Sequence, residues 1–230
     1  MKYGESSKIL RLFTEKYGIL PVMAKGAYLP KSSFVSLSQP FTLGKFTLGE
    51  GQSFYYLEYG EIIHVPMKFR SSYDKIISAS VMAEVTRKTL QEGEVNPKIF
   101  SLLRKAYMVL EDTTSEKLLL AGYLMKLLTF LGFRPSLHQC IRCGKIVTTP
   151  RIYDISGGVR CCECGGNPGN CIKVDENVGE GMKKILYTPL DQFDELDINQ
   201  ETAKEIIDIM IKGLQYHLDI QSFSSLKLLP

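Results

Sequence analysis

At 230 residues, with 44% hydrophobic content, the chain can bury one large core or two small ones and reads as globular and soluble. Its 28 lysines and arginines against 25 acidic residues leave a net charge of +3, too small to announce a nucleic-acid partner unless the charge is unevenly placed. The longest apolar run, Leu118 to Leu131, is interrupted by Gly122, Tyr123, Lys126 and Thr129, which excludes a membrane span and favours a buried helix.

Charge is in fact uneven: Lys8, Arg11, Lys16, Lys25, Lys31 and Lys45 enrich the N-terminal part, while acidic residues dominate from Asp175 to Asp208. Up to about Val65 the chain is a series of short β-prone runs separated by turn residues. Ser7 to Thr14 and Gly18 to Lys25 flank Lys16-Tyr-Gly and predict a hairpin. Gln39 to Leu48 and Ser53 to Val65 predict two further strands around Gly49-Glu-Gly51, with Phe41, Leu43, Phe46, Leu48, Tyr55, Leu57 and Tyr59 close to a period of two. Short strands with glycine turns at this length fit a small Greek-key barrel of the oligonucleotide-binding (OB) type, which binds single strands through basic loops and aromatic platforms.

After Pro66 the pattern becomes helical. Ser71-Ser-Tyr-Asp74 predicts a capping box and a helix to about Leu90; Asn96-Pro97 predicts a cap and first turn, followed by the stripe Ile99, Leu102, Leu103, Ala106, Tyr107 and Leu110. Thr113-Thr-Ser-Glu116 predicts another capping box before Leu118 to Phe130, and Gly132 with Pro135 stops that helix. Gly179 to Tyr187 and Gln200 to His217 read as further helices, the last capped by Asn199, and the apolar end from Ser224 is expected to dock.

Between the helices lie Cys140-Ile-Arg-Cys143-Gly144 and Cys161-Cys-Glu-Cys164-Gly165, two Cys-x-x-Cys pairs around a seventeen-residue spacer containing Gly157-Gly158. Each is a knuckle whose sulfurs turn towards one ion about 2.3 Å away. Four thiolates at Cys140, Cys143, Cys161 and Cys164 leave no position for water, so one structural Zn2+ is expected rather than a catalytic one. A disulfide framework would need an oxidising compartment, and the N-terminus carries nothing resembling a secretory signal. A redox pair would follow a strand in a βαβ unit and would not be duplicated. Cys162 is the alternative to its neighbour as ligand and His138 a substitute ligand, each weaker than the symmetric set of four; Cys171 reads as an ordinary thiol.

Taken together, Tyr3-Gly4-Glu5-Ser6-Ser7-Lys8-Ile9, Leu12-Phe13-Thr14, Ala24-Lys25-Gly26-Ala27, Pro30-Lys31-Ser32 and Gln39-Pro40-Phe41 resemble the N-terminal domain of the RecO family of bacterial recombination mediators. The resemblance continues through Leu127-Leu128, Leu131-Gly132-Phe133-Arg134-Pro135, the two knuckles, and Tyr216-His217-Leu218, and so spans nearly the whole chain. It implies an α+β architecture: an OB-type β-barrel over 1–68, then an α-helical domain over 69–230 with a zinc module, 138–166, inserted. It implies no covalent catalysis. The expected role is recombinational DNA repair in the bacterial cytoplasm, at the nucleoid, without a membrane partner. Members bind single- and double-stranded DNA, anneal complementary strands coated by single-strand-binding protein, and with RecR assist loading of RecA. The acidic C-terminal tail of single-strand-binding protein is the expected ligand of the helical domain. Two departures from the family stand out. Most of the strand that precedes Tyr-Gly-Glu-Ser in the family is missing before Met1-Lys2, which predicts a barrel with an open edge, and the loop usually rich in arginine reads Ala27-Tyr28-Leu29.

Annealing requires phosphate neutralisation while base edges stay free to pair. On this reading Lys8, Arg11, Lys25 and Lys31 face a DNA strand and Tyr28 offers a ring to a base; the alternative is a set of solvated charges and a turn tyrosine. Arg142, Lys145, Arg151 and Arg160 are expected to extend the patch onto the zinc module. An enzyme is disfavoured, because no phosphate-binding loop, nucleophile elbow or deaminase His-x-Glu motif is present.

Overall fold

The structure, a computed structural model, describes residues 2–165 and 169–229, with the side chains of Arg70 and Ser71 outside the description. Its first part is a five-stranded sheet: β1 (Lys2–Tyr3), β2 (Ser7–Thr14), β3 (Gly18–Ala24), β4 (Leu43–Gly49) and β5 (Tyr55–His64). The order is β1-β2-β3-β5-β4, with β3 and β5 parallel and every other pair antiparallel, which is the Greek-key order of an OB barrel. The β2/β3 hairpin forms as the sequence predicts, Lys8 opposite Ala24 and Thr14 opposite Gly18. Gly18 closes its turn at φ +66, with the Glu94 carbonyl oxygen 2.3 Å from where a Cβ would sit, so both backbone and space require glycine. β1 covers only the start of β2, and among the described residues the outer edges of β2 and β4 are left facing a groove that α-helices line on its far side.

The strand expected from Gln39 starts only at Leu43. A short helix, α1 (Phe34–Leu37), and a turn precede it, and Phe41 takes φ 65 so that its ring reaches Phe69 and Tyr107, 5.9 and 5.4 Å away. Packing on the helical domain has overridden a period-two pattern. Leu20, Val22, Ala24, Leu37 and Leu57 fill the barrel, with Leu10, Leu12, Phe46 and Leu48 packed around them.

The helical part contains α2 (Tyr73–Thr89), α3 (Pro97–Asp112), α4 (Glu116–Phe130), α5 (Glu176–Tyr187) and α6 (Gln200–Leu218). α4 is buried on nearly every side, Leu118 to Met125 each being 2% exposed or less where apolar, which explains a run without amphipathic periodicity. The caps differ in part from expectation. Asn96 and Asn199 accept from Ile99 and Thr202 as predicted. The α2 cap is Ser72, which accepts from Lys75, one residue after the expected Ser71, whose side chain is outside the description. No capping box forms at α4, because the Thr113 hydroxyl donates to Asp194, 2.6 Å away, and accepts from the Ser115 N–H. The α4 stop is as read: Gly132 is at φ 93 and the Phe133 N–H returns to Leu128.

Barrel and helices have separate cores that meet along one face of the sheet. Ile19 belongs to the helical cluster, Phe13 meets Phe100 edge-on at 5.5 Å, and His64 Nε2 lies 2.5 Å from a Glu111 carboxylate oxygen. The C-terminal end docks as a short 3-10 helix, 224–228, whose Ser224 and Ser225 N–H groups donate to Glu84 on α2.

Candidate metal centre and nucleic-acid surface

The two Cys-x-x-Cys pairs fold into the same turn. In each, the glycine after the second cysteine lies in the left-handed region, Gly144 at φ 74 and Gly165 at φ 57. Its N–H returns to the carbonyl of the first cysteine, at 2.8 Å for Cys140 and 3.2 Å for Cys161. Both sulfurs of each pair are thereby aimed inward. The Sγ atoms of Cys140, Cys143, Cys161 and Cys164 all lie within 4.8 Å of one another. Cys143 and Cys161 are 3.7 Å apart, against about 3.8 Å for the edge of a tetrahedron with metal–sulfur bonds of about 2.3 Å. The four residues can therefore hold one metal ion, and an all-thiolate set suits a soft or borderline cation.

Electrostatics already favour a thiolate here. The Cys161 backbone N–H, with further help from those of Arg142 and Cys143, lowers the Cys140 thiol to about 6. Cys164 is pushed up to about 12, chiefly by the Cys143 and Cys161 sulfurs beside it. Crowded thiols that resist ionising together are what a cation relieves. Neither alternative ligand joins them. Cys162 is exposed and outside the cluster, and His138 packs near Tyr187, ring centroids 5.8 Å apart. Cys171 sits 3.6 Å from an Asp154 carboxylate oxygen.

The knuckles are carried by a small sheet of β6 (Ile152–Asp154), β7 (Gly158–Val159) and β8 (Cys171–Lys173), in the order β7-β6-β8. The Ile141 N–H donates to Val159, tying the first knuckle to β7 beside the second. Gly158 makes this approach possible, since a Cβ there would lie 2.5 Å from the Ser136 carbonyl oxygen. The basic side chains expected to extend the patch all have partners, but only Arg160 faces inward; the pairs of Lys145 and Arg151 and the Arg142 contact lie at the exposed surface. Arg160 pairs with buried Asp154, Lys145 with Glu163, Arg151 with Glu176, and Arg142 donates to the Cys164 carbonyl.

On the barrel, strand register sorts the expected DNA-contacting residues. Lys8 continues the inward row of Leu10 and Leu12, and at the barrel mouth its Nζ is 3.0 Å from Ser38 Oγ and 4.8 Å from the Tyr28 ring centroid. Lys2 approaches the same ring at 5.9 Å. Arg11 is on the opposite face of β2, paired with Glu92 at 3.3 Å. Lys25 shares that outer face, two residues beyond Met23, with its Nζ 4.5 Å from the Tyr56 ring centroid. Lys31 is exposed on the loop after β3. Thus Lys8 and Tyr28 come together, and Lys25 and Arg11 share another surface. Sequence reasoning missed two surface contacts, Tyr56 under Lys25 and Tyr3 beside Phe54, ring centroids 6.4 Å apart; the consecutive aromatics Phe54-Tyr55-Tyr56 were the available signal.

Both parts match known families. Residues 1–66 match the model described as Recombination protein O N terminal, and residues 70–227 match Recombination protein O C terminal. Proteins named DNA repair protein RecO are similar over nearly their whole lengths. That of Thermoanaerobacter sp. (strain X514) is 28% identical over 95% of this chain and 88% of its own. That of Alkaliphilus metalliredigens (strain QYMF) is 26% identical over 99% and 93%. That of Pelotomaculum thermopropionicum (strain DSM 13744 / JCM 10971 / SI) is 30% identical over 97% and 88%. An OB-ordered barrel joined to a helical domain with a four-cysteine cluster, matched along both halves, makes this chain a member of the RecO family of DNA repair proteins.

Proposed function

We propose that the protein is a recombinational mediator rather than a catalyst, acting in the bacterial cytoplasm at the nucleoid. On this reading it binds single- and double-stranded DNA, anneals complementary strands coated by single-strand-binding protein, and with RecR assists loading of RecA. The observation that carries the proposal is the OB strand order of a domain matched to the RecO N-terminal family, because such barrels bind oligonucleotides across their strand 2–3 face and adjoining loops. Lys8, Arg11, Lys25 and Lys31 neutralise phosphates and Tyr28 stacks on a base. Arg11, being paired with Glu92, contributes less than the lysines. The barrel occupies 1–68 and the helical domain 69–230, which receives the acidic tail of single-strand-binding protein. The four-cysteine cluster, in the module at 138–166, holds one structural Zn2+: a filled sulfur shell stabilises the fold and has no open position for substrate.

Strand annealing tests this, with complementary labelled oligonucleotides coated by the cognate single-strand-binding protein at two salt concentrations. The expected result is acceleration that weakens as salt rises. No acceleration at either concentration, by protein of verified metal content, would refute the mediator role.

A further inference from the structure

The four cysteines of the cluster are not equally protected. Cys140 is 2% exposed and belongs to the helical core, Cys161 and Cys164 are half-buried against that core, and Cys143 alone of the four is exposed. Solvent therefore reaches the site at one corner. A bound cation keeps such sulfurs as thiolates, the form that a peroxide oxidises, so the exposed corner is also the reactive one.

The knuckles are held together by more than a shared ion. Lys145, just after the first knuckle, pairs with Glu163 inside the second at 2.5 Å, and Arg142 donates to the Cys164 carbonyl at 3.3 Å. The Ile141 N–H donates to Val159 at 3.0 Å. With the ion gone, these contacts keep the Cys143 and Cys161 sulfurs, 3.7 Å apart, facing each other across the two knuckles. The segment that carries them also fastens the helical domain. It runs between α4 and α5, buries Leu137, Val147, Tyr153 and Val159 in the helical core, and its Thr148 carbonyl accepts from Lys183 of α5 at 2.6 Å.

We infer that the four-cysteine centre is an oxidant-sensitive latch, in which a peroxide joins Cys143 to Cys161, expels the metal ion and loosens the zinc module from the helical core. The inference rests on the zinc reading above and gives the centre a regulatory role that a purely structural ion lacks. With hydrogen peroxide, the Cys143 thiolate attacks one oxygen, the O–O bond breaks, and a sulfenic acid and hydroxide form. The Cys161 thiolate then attacks the oxidised sulfur and displaces a second hydroxide, so two thiolates surrender two electrons to one peroxide. Cys140 and Cys164 remain, too few to fill a tetrahedral shell. In a reducing compartment a dithiol exchanges with the new disulfide, and the site forms again when zinc is present.

The test treats the full chain, with its zinc content measured beforehand, with hydrogen peroxide in the presence of a chromophoric chelator. The expected result is release of one equivalent of zinc together with loss of two thiols, and a melting point lowered to that of metal-free Cys143→Ser. Dithiothreitol followed by zinc should restore both metal and melting point. Peptide mapping by mass spectrometry should find the disulfide between Cys143 and Cys161, and Cys162→Ser, which removes the other exposed thiol, should release zinc at the parental rate. A disulfide within one knuckle, or loss of release in Cys162→Ser, overturns the assignment. Release by the chelator alone at the same rate, or zinc loss that leaves the melting point unchanged, overturns the latch. Zinc present at the start and retained under peroxide overturns the latch and leaves the zinc reading standing, whereas protein purified without zinc and unable to take it up overturns both.

Discussion

Replacing Cys143 by serine removes one corner of the sulfur tetrahedron while leaving its backbone turn possible. Cys143 is the exposed member of the set, so the change opens no cavity, and its effect reports metal binding rather than packing. The consequence reaches further than the site. Leu137, Val147, Tyr153 and Val159 anchor the knuckle region in the core cluster shared with α4 and α6, each 8% exposed or less. A fully buried side chain of this size contributes about 1.5–3 kcal/mol, and the segment regains chain entropy when it comes free, so loss of the ion should cost on the order of 5 kcal/mol. In a chain of this length that lowers the melting temperature by roughly 10–20 °C. Bound zinc is measured with a chromophoric chelator after thiol modification, and melting is followed by far-UV circular dichroism. Cys143→Ser and Cys161→Ser should both lose the metal and melt early, while Cys162→Ser, outside the cluster, should keep one equivalent and the parental melting point. One equivalent of zinc retained in both ligand variants would refute the assignment.

The remaining predictions address charge, pH and packing. Lys25→Glu with Lys31→Glu should weaken DNA binding and reduce its salt slope, by about 0.7 for each single-strand phosphate no longer neutralised, without altering affinity for the tail peptide of single-strand-binding protein; fluorescence anisotropy with both ligands checks this. Burial acts to raise the Glu84 carboxyl, but hydrogen bonds from the Ser225 hydroxyl and the Ser225 and Ser224 N–H groups, with Lys88 alongside, hold it at about 2. Because that lies below the ordinary 4.5, the stabilisation is fully present above pH 4.5 and lost as pH falls through about 2. Glu84→Gln should cost about 2 kcal/mol near neutrality, after discounting for solvent screening, and the gap from the parent should close between those two pH values in thermal melts. Gly122→Ala would place a Cβ 1.8 Å from Cε2 of the buried Phe193 ring, so overpacking of about 1–3 kcal/mol outweighs the gain of about 1 kcal/mol in helix propensity. Its melting point should fall, and Phe193→Leu in the same chain should recover part of the loss.

What the sequence by itself determined was whatever depends on residues near one another in the chain. The knuckles are legible because Cys-x-x-Cys-Gly specifies its own turn, with glycine supplying the left-handed backbone at Gly144 and Gly165. The β2/β3 hairpin, the Asn96 and Asn199 caps and the Gly132 stop are local for the same reason. Tertiary structure decided what depends on distant partners. Phe41 left its strand pattern because Phe69 and Tyr107 offered a better place for its ring, and Thr113 gave up a capping box to bond Asp194, far along the chain. The surface chemistry belongs to this second class. Lys8 and Arg11 are close in sequence but sit at odd spacing on one strand, and the pleat sends them to opposite faces. Tyr3 and Phe54, and Lys25 and Tyr56, distant in sequence, meet as pairs because the order β1-β2-β3-β5 brings β1, the end of β3 and the start of β5 to one end of the sheet. Local propensity carries no information about which strands become neighbours, so the grouping of rings and charges existed only once the sheet was formed.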